Sequence, residues 1–168
     1  AIGDRAFSAD PTLVADLGRA AAEGLMAGGV IPVIKHLPGH GRATVDSHLD
    51  LPRIDADFDT LADSDFVPFR MLNDLPWGIT AHLVYTAIDP ARPATLSPKV
   101  IGEVIRGEIG FSGLLVSDDM SMKALQGSLD RLAADLIAAG CDIALHCNGK
   151  LDEMRRVAAG CGALSPAA

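Results

Sequence analysis

The sequence has few basic residues, few aromatic residues and no long apolar run, and each shortage excludes a class of protein. Its 168 residues include 14 Lys plus Arg against 22 Asp plus Glu, a formal net charge of −8. This balance disfavours nucleic acid as a partner, because phosphate contacts need a basic face. No apolar run reaches the roughly 20 residues of a membrane span, so we expect no membrane-embedded part. Five Phe, one Trp and one Tyr predict a core of mainly aliphatic side chains.

Cysteines are also few. Cys141, Cys147 and Cys161 are odd in number and show no C-x-x-C spacing, which argues against both a disulfide framework and a zinc ribbon and suits a reducing compartment. The chain opens without an initiator Met and without the charged and apolar regions of a signal peptide. We therefore expect a cytoplasmic protein, and the opening of the chain is compatible with truncation or processing as well as with a complete chain.

Helical periodicity alternates with short apolar runs from one end of the chain to the other. Four apolar runs predict buried strands at residues 30–34, 78–82, 114–116 and 142–145. Helices are predicted after Asp10-Pro11, around residues 66–72, after Ser97-Pro98, after Ser128 and near Leu151. This alternation predicts an α/β fold with a parallel sheet, and no linker divides residues 1–168, so we expect a single domain.

Polar and titratable side chains follow every predicted strand. They are Lys35-His36, His82, Ser117-Asp118-Asp119 and His146-Cys147-Asn148. The carboxyl ends of parallel strands meet at one edge of the sheet, where α/β proteins place their chemistry. The sequence therefore predicts a shared site at this edge.

The segment after the first predicted strand has the highest density of histidine and charge. His36 and His40 are spaced i, i+4, but Pro38 and Gly39 exclude the helix that would bring them to one metal ion, so no metal site is predicted. The Gly39-x-Gly41 pair lacks the third glycine of a phosphate-binding loop.

Two pairs of residues are suited to acid–base or nucleophilic chemistry. A carboxylate such as Asp46 can accept the N–H of His48, fix its tautomer and raise its basicity. Asp118 and Asp119 stand at a strand end, where neighbouring side chains point to opposite sides. We expect only one of these two carboxylates to face the pocket, and the other to brace the loop.

These motifs resemble the family-3 glycoside hydrolases of the bacterial β-N-acetylglucosaminidase type. The resemblance runs from Ala1 to about Lys150 and is carried by three motifs, Lys35-His36-Leu37-Pro38-Gly39-His40-Gly41, Asp46-Ser47-His48 and Ser117-Asp118-Asp119-Met120-Ser121-Met122. It implies a parallel (β/α)8 barrel, of which this chain supplies about the last four strand–helix units.

The resemblance also implies a role for each matching residue. Asp118 would be the nucleophile that forms a covalent glycosyl-enzyme, and His48, held by Asp46, would be the general acid/base. Arg5, Lys35 and His36 would bind the hydroxyl and N-acetyl groups of the sugar. No cofactor and no metal are implied, and His40, His82, Asp119 and Asn148 receive no role.

The implied activity is retaining hydrolysis of terminal β-linked N-acetylglucosamine from muropeptides, a small-molecule sugar substrate of peptidoglycan recycling. Two alternatives stay open, an inactive or sugar-binding half-barrel and a phosphorylase that uses phosphate in place of water. Half a barrel leaves its first and last strands unpaired, so we also expect self-association through these open edges.

Overall fold

Parallel strands form the centre of the molecule. A computed structural model describes residues 3–43 and 51–164. Its strands are β1 (Val33–Leu37), β2 (Arg53–Ile54), β3 (Trp77–Thr80), β4 (Val84–Tyr85) and β5 (Leu114–Val116). The main sheet is parallel with the order β1-β3-β5, and β2 pairs with β4 in a second, short parallel sheet that the sequence did not indicate.

Helices lie before, between and after the strands in chain order. They are α1 (Pro11–Ala27), α2 (Phe58–Thr60), α3 (Val67–Met71), α4 (Leu129–Ala139) and α5 (Leu151–Cys161). Two segments are π-helical, Leu61–Asp65 and Val100–Glu108, and two are 3₁₀ turns, Gly3–Arg5 and Ala94–Leu96. The predicted parallel α/β architecture is confirmed. Within the described ranges no helix is both long and apolar enough to cross a membrane.

The first helix begins as predicted, whereas the first strand begins later. The Asp10 carboxylate accepts hydrogen bonds from Thr12 N and Leu13 N at 2.9 and 3.3 Å, which caps α1. After the helix, Val30 N still donates to Leu25 O at 2.9 Å. The chain is therefore still turning where the strand was expected to start, and β1 begins only after Pro32. As a result, Lys35 and His36 lie within β1 rather than after it.

The helices in the second half of the chain lie close to their predicted positions. Ser97 Oγ accepts a hydrogen bond from Val100 N at 3.1 Å, and the π-helical segment that follows buries the predicted apolar face. Ser128 occupies the N-cap position of α4 but makes no side-chain capping hydrogen bond. Gly140 ends α4 with φ = 113°, a conformation that favours glycine.

The fourth predicted strand, residues 142–145, is reduced to a single parallel bridge between Val116 and Ile143. A longer ladder of backbone hydrogen bonds would need N–H groups that are bonded elsewhere. Before the bridge, Leu115 N donates to the Asp142 carboxylate at 2.8 Å, and after it Leu145 N donates to Ser117 Oγ at 2.9 Å, each instead of to a backbone carbonyl of the neighbouring segment. The prediction of a fourth regular strand was therefore wrong, although this segment does lie beside β5 in parallel orientation.

One arginine closes the amino-terminal end of this part of the sheet. Arg106 Nη1 donates to Phe111 O at 2.9 Å and to Gly113 O at 2.7 Å, while its Nη2 donates to Asp142 at 2.9 Å. The guanidinium thereby joins the π-helical segment, the turn before β5 and the start of the fourth segment.

The core is mainly aliphatic, as predicted. Among the largest fully buried side chains only Tyr85, Phe66 and Phe111 are aromatic, and the others are Leu and Ile. Apolar side chains are exposed at the β1 side of the sheet, where Val30 and Ile31 are 55% and 56% exposed. Within residues 3–43 and 51–164, β1 pairs with β3 alone, so its other edge is open.

Candidate active site

His36 and Asp118 meet at the carboxyl edge of the main sheet. His36 lies on β1 and Asp118 follows β5, yet His36 Nε2 and Asp118 Oδ2 are 3.9 Å apart. Each side chain is 15% exposed. Asp118 Oδ1 accepts a hydrogen bond from Asp119 N at 2.9 Å. The second oxygen, Oδ2, is therefore the one turned toward His36.

The environment of His36 favours its uncharged form. Burial lowers the pKa of His36 from 6.5 to about 4, although the Asp118 charge acts in the opposite direction. The charges of His40, Lys35 and Arg5 lower this pKa further. Lys35 and Arg5 themselves are exposed, but both lie within electrostatic reach of the imidazole. The structure thus brings four of the predicted site residues, Arg5, Lys35, His36 and Asp118, into one region.

Asp119 is held by the protein itself. Its Oδ1 accepts hydrogen bonds from Ser121 N at 2.9 Å and from Cys147 N at 3.0 Å, and its Oδ2 accepts one from Ser121 Oγ at 2.6 Å. Burial acts to raise the pKa of Asp119, but these bonds and the nearby His146 hold it below 3.8. Asp119 is therefore the bracing member of the Asp118-Asp119 pair.

His82 lies beneath this loop in a buried polar network. Its ring is fully buried, with Nδ1 2.9 Å from Thr95 Oγ1 and Nε2 3.1 Å from the carbonyl oxygen of Asp119. Thr95 Oγ1 in turn lies 2.9 Å from Thr80 Oγ1. The predicted polar residue after β3 thus contacts the backbone of the predicted site at the Asp119 carbonyl.

The turn after β1 is tied to the rest of the fold. The buried Tyr85 hydroxyl donates to Gly39 O, and Arg42 Nε donates to the Asp65 carboxylate at 2.6 Å. The His40 ring is buried, with its centroid 5.2 Å from that of His36. Within the part of the chain that the structure describes, no group of three or more His, Cys, Asp or Glu side chains is arranged to hold a metal ion.

The predicted acid–base pair, Asp46 and His48, lies outside the described residues, so its position relative to Asp118 stays a prediction. After the fourth segment, the side chains of His146 and Asn148 bind α5, whereas Cys147 lies beside the site, where burial and the charges of Asp119 and Asp118 raise the pKa of its thiol. His146 Nε2 and Asn148 Nδ2 lie 3.0 and 2.6 Å from Glu153 Oε2. Hydrogen bonds from Asn148, His146 and Lys150 lower the pKa of Glu153 to about 2. The expected convergence is therefore found for the ends of β1 and β5, where His36 and Asp118 meet, while His82 and Cys147 contact the loop that carries Asp118 and Asp119.

Sequence reasoning missed the buried hydroxyl groups that support the site. Thr80 and Thr95 are fully buried. Threonine is common on surfaces, and the residues next to it in the sequence do not distinguish a buried one. Ser121 lies within the motif that carries the resemblance, but its bond to Asp119 depends on the turn that follows β5. The one available signal was Thr80 itself, a hydroxyl residue within an otherwise apolar predicted strand.

Comparison with known proteins places this geometry in a family. The chain is 48% identical over 151 residues to the beta-hexosaminidase of Alkalilimnicola ehrlichii, covering 88% of this chain and 43% of that protein. It superimposes on a glycoside hydrolase family 3 beta-N-acetylglucosaminidase from Paenibacillus sp. str. FPU-7 with a TM-score of 0.88 and 33% identity, covering 97% of this chain and 32% of the other.

A third relative was solved with a sugar derivative bound. NagZ from Neisseria gonorrhoeae, in complex with N-trifluoroacetyl-D-glucosamine, matches with a TM-score of 0.82 and 36% identity, covering 94% of this chain and 44% of that one. The chain thus spans less than half the length of these relatives. Residues 1–165 match the family described as glycosyl hydrolase family 3 N terminal domain, a domain of the TIM-barrel type. The chain therefore belongs to glycosyl hydrolase family 3.

Proposed function

We propose that this chain carries the nucleophile and sugar-binding groups of a retaining β-N-acetylglucosaminidase. The observation that carries the proposal is the difference between the two neighbouring carboxylates. The Asp119 carboxylate is occupied by Ser121 and Cys147, whereas Asp118 Oδ2 faces His36 at the carboxyl edge. A carboxylate oxygen that accepts no hydrogen bond from the described residues, in a largely enclosed position, is suited to attack an anomeric carbon.

The reaction proceeds in two displacements. Asp118 Oδ2 forms a bond to the anomeric carbon while the glycosidic C–O bond breaks, and the departing oxygen takes a proton from His48. His48 then removes a proton from water, the water oxygen bonds to the same carbon, and the ester to Asp118 breaks. Asp46 accepts the other N–H of His48 and fixes its tautomer. The roles of His48 and Asp46 rest on their spacing and on the family resemblance.

Three further residues bind the sugar in this proposal. Arg5 and Lys35 present cationic donors near His36, and uncharged His36 has one nitrogen that donates and one that accepts. Such a set suits hydroxyl and N-acetyl groups better than it suits an apolar ligand. The related proteins named as beta-hexosaminidase and beta-N-acetylglucosaminidase support this substrate class.

The natural substrate in this proposal is a muropeptide fragment processed in the cytoplasm during peptidoglycan recycling. The substrate rests on the resemblance of the motifs. The compartment is supported by Cys141, Cys147 and Cys161, which are all free thiols in the structure, because free thiols persist best in a reducing environment.

Labelling of the nucleophile tests the proposal. A slow fluorosugar analogue of N-acetylglucosamine should accumulate as an ester on Asp118, and peptide mass spectrometry after digestion locates it. Because the label accumulates, it is detectable even where turnover is slow. Asp118→Asn should abolish labelling, and Asp63→Asn, at an exposed position, should leave it unchanged. A label on Asp119, or no label on the wild-type chain, would contradict the proposal.

Phosphate is a second candidate acceptor because Arg5 and Lys35 place positive charge beside the site. An uncharged His48 avoids the repulsion that a carboxylate base would exert on an anionic acceptor. The two activities give different products, free N-acetylglucosamine with water and its 1-phosphate with phosphate. Product analysis by mass spectrometry, with and without added phosphate, therefore decides between them.

We further propose that the 168-residue chain self-associates and turns over slowly on its own. Val30, Ile31 and Val33 are exposed beside the open edge of β1, and residues 142–145 form only one bridge to β5. A second copy could pair with both edges and bury this apolar surface. Sizing chromatography and a chromogenic N-acetylglucosaminide assay test both parts. A monomer that turns over at about 1 to 1,000 per second would contradict them.

If the chain is a monomer and turns over at the rate of an ordinary enzyme, the alternative of an inactive or sugar-binding half-barrel is also excluded. If instead the chain binds N-acetylglucosamine without labelling at Asp118, that alternative replaces the enzymatic proposal. Isothermal titration with N-acetylglucosamine distinguishes these cases.

A further inference from the structure

The backbone that carries Asp118 is anchored from below by His82. His82 Nε2 lies 3.1 Å from the carbonyl oxygen of Asp119. A carbonyl oxygen can only accept, so Nε2 carries the proton and donates. The His82 ring is fully buried, and its uncharged form is favoured because burying a charge is costly. This hydrogen bond therefore joins a rigid part of the core to the residue that follows Asp118.

Two threonines fix the tautomer of His82. With the proton on Nε2 of an uncharged ring, Nδ1 accepts a hydrogen bond from Thr95 Oγ1 at 2.9 Å. Thr95 Oγ1 also donates toward the carbonyl oxygen of Ala81 at 3.1 Å, so the two acceptors share its single proton. Thr80 Oγ1, 2.9 Å away, then donates to Thr95 Oγ1. The hydrogen bonds thus run in one direction, from Thr80 through Thr95 and His82 to Asp119.

The same loop is also held from the side of the fourth segment. Met120 N donates to Leu145 O at 2.9 Å, and Ser117 Oγ accepts from Leu145 N at 2.9 Å. The Asp119 carboxylate binds Cys147 N. These contacts fix the loop laterally, along the neighbouring segment. The bond from His82 comes from beneath, and it acts on the Asp119–Met120 peptide group, one residue beyond Asp118.

We infer that His82 is a positioning residue, which sets the placement of the Asp118 carboxylate through its hydrogen bond to the Asp119 carbonyl. The inference rests on the proposed role of Asp118 as nucleophile. Without the donor, the Asp119 carbonyl would lose its buried partner and turn, and Asp118 Oδ2 would move relative to His36 and the sugar. A displacement of about 1 Å can reduce a rate by on the order of a hundredfold.

Two substitutions separate the donor from the volume of the side chain. His82→Leu fills the site without a donor, whereas His82→Gln places an amide N–H close to the former Nε2. We expect the saturating rate of Asp118 labelling by the fluorosugar to fall at least about tenfold in His82→Leu and to stay within about threefold in His82→Gln. The concentration for half-maximal labelling should change little in either, because His82 is not among the proposed sugar-binding groups.

Ser97→Ala is the matched control for the loss of a buried polar group. Ser97 is fully buried and bonds to Asp89 and Val100 N, away from the Asp118 loop. It should lower thermal stability with no change in labelling rate. The inference is overturned if folded His82→Leu labels at the wild-type rate, if His82→Gln is as slow as His82→Leu, or if only the half-maximal concentration changes.

Amide hydrogen exchange measures the positioning without any activity. In His82→Leu the Asp119 and Met120 amides should exchange at least about tenfold faster than in the wild type, and in His82→Gln and Ser97→Ala they should not. If the wild-type chain is never labelled, the proposed function fails, and exchange alone then decides the inference. Unchanged exchange at these two amides in His82→Leu would refute it.

Discussion

His36 and Asp118 lie 3.9 Å apart across β3, which separates their strands in the sheet. Adjacent strands are about 4.8 Å apart, so strands on either side of a third are nearly 10 Å apart. Side chains from such strands meet when the sheet curves and both point toward the concave side, as in a barrel. This contact therefore fits the curved sheet of a TIM-barrel-type domain.

The His36 ring should titrate far below an ordinary histidine. We expect a midpoint of about 4, because burial disfavours the imidazolium. Asp118→Asn should lower the midpoint further, since the Asp118 charge favours the protonated ring. Two-dimensional NMR of the histidine rings measures both values. A midpoint near 6.5 in the wild type would show that the ring is solvated.

The same histidine should make the fold sensitive to mild acid. The folded-state pKa of His36, about 4, lies below its ordinary value of 6.5, so the unfolded chain binds the proton more readily. The stabilising contribution of uncharged His36 is complete above pH 6.5 and is lost as the pH falls toward 4. Urea unfolding of the wild type and His36→Asn between pH 7 and 4 should show a smaller loss for the variant. Parallel profiles would contradict this expectation.

Asp119→Ala should destabilise the fold by about 1 to 3 kcal/mol at pH 7, because its carboxylate accepts hydrogen bonds from Ser121 and Cys147 that no other group replaces. The folded-state pKa of Asp119 lies below 3.8, so this contribution is present above pH 3.8 and is lost as the pH falls through the folded-state value. Asp118→Ala is the matched control, since among residues 3–43 and 51–164 the Asp118 carboxylate accepts a hydrogen bond from the Asp119 amide alone. Equal destabilisation in both variants would refute the assignment of Asp119 as the brace.

Tyr85→Phe should cost about 1 to 2 kcal/mol of unfolding free energy, because the buried carbonyl of Gly39 loses its donor. Chemical denaturation measures the loss. The volume of the ring is retained, so the change reports the hydrogen bond rather than a cavity. An unchanged unfolding free energy would mean that the Gly39 carbonyl is satisfied in another way.

The contact between α4 and α5 should depend on Gly160. A Cβ at this position would overlap the carbonyl oxygen of Asp130 and lie 2.9 Å from the Cβ of Ala133. Gly160→Ala should therefore destabilise the fold by about 1 to 3 kcal/mol in thermal unfolding. In Gly24→Ala, at a position on α1 with nothing within 4 Å, stability should rise by up to about 1 kcal/mol. Similar effects in both variants would contradict close packing at Gly160.

Local signals predicted the elements that depend on neighbours in the chain. Asp10-Pro11 located the start of α1, and the apolar spacing after Ser97 located a buried helical face, although its π-helical form leaves no mark in the pattern. The start of β1 and the loss of a regular fourth strand depend on long-range bonds, such as that from Leu115 N to Asp142. Periodicity cannot report such bonds, because the two groups are distant in sequence.

In the candidate site, too, some residues could be predicted from local sequence and others could not. Its titratable members were visible because Lys35, His36 and Asp118 end apolar runs, and alternation predicted that one carboxylate of the pair would brace the loop. It could not say which one, because the answer depends on where Ser121 and Cys147 N lie. Thr95 was not predicted at all, because its role requires a buried histidine partner from another segment.

Arg106 gives the sheet a separate point of support at the end away from Asp118. Its bonds go to the turn before β5 and to Asp142, and none reaches the loop that holds Asp118. In α/β barrels the two ends of the strands divide stability and chemistry between them. Substitutions around Arg106, in evolution or in engineering, can therefore change thermal stability. Substitutions at the carboxyl end of the strands can change substrate preference independently.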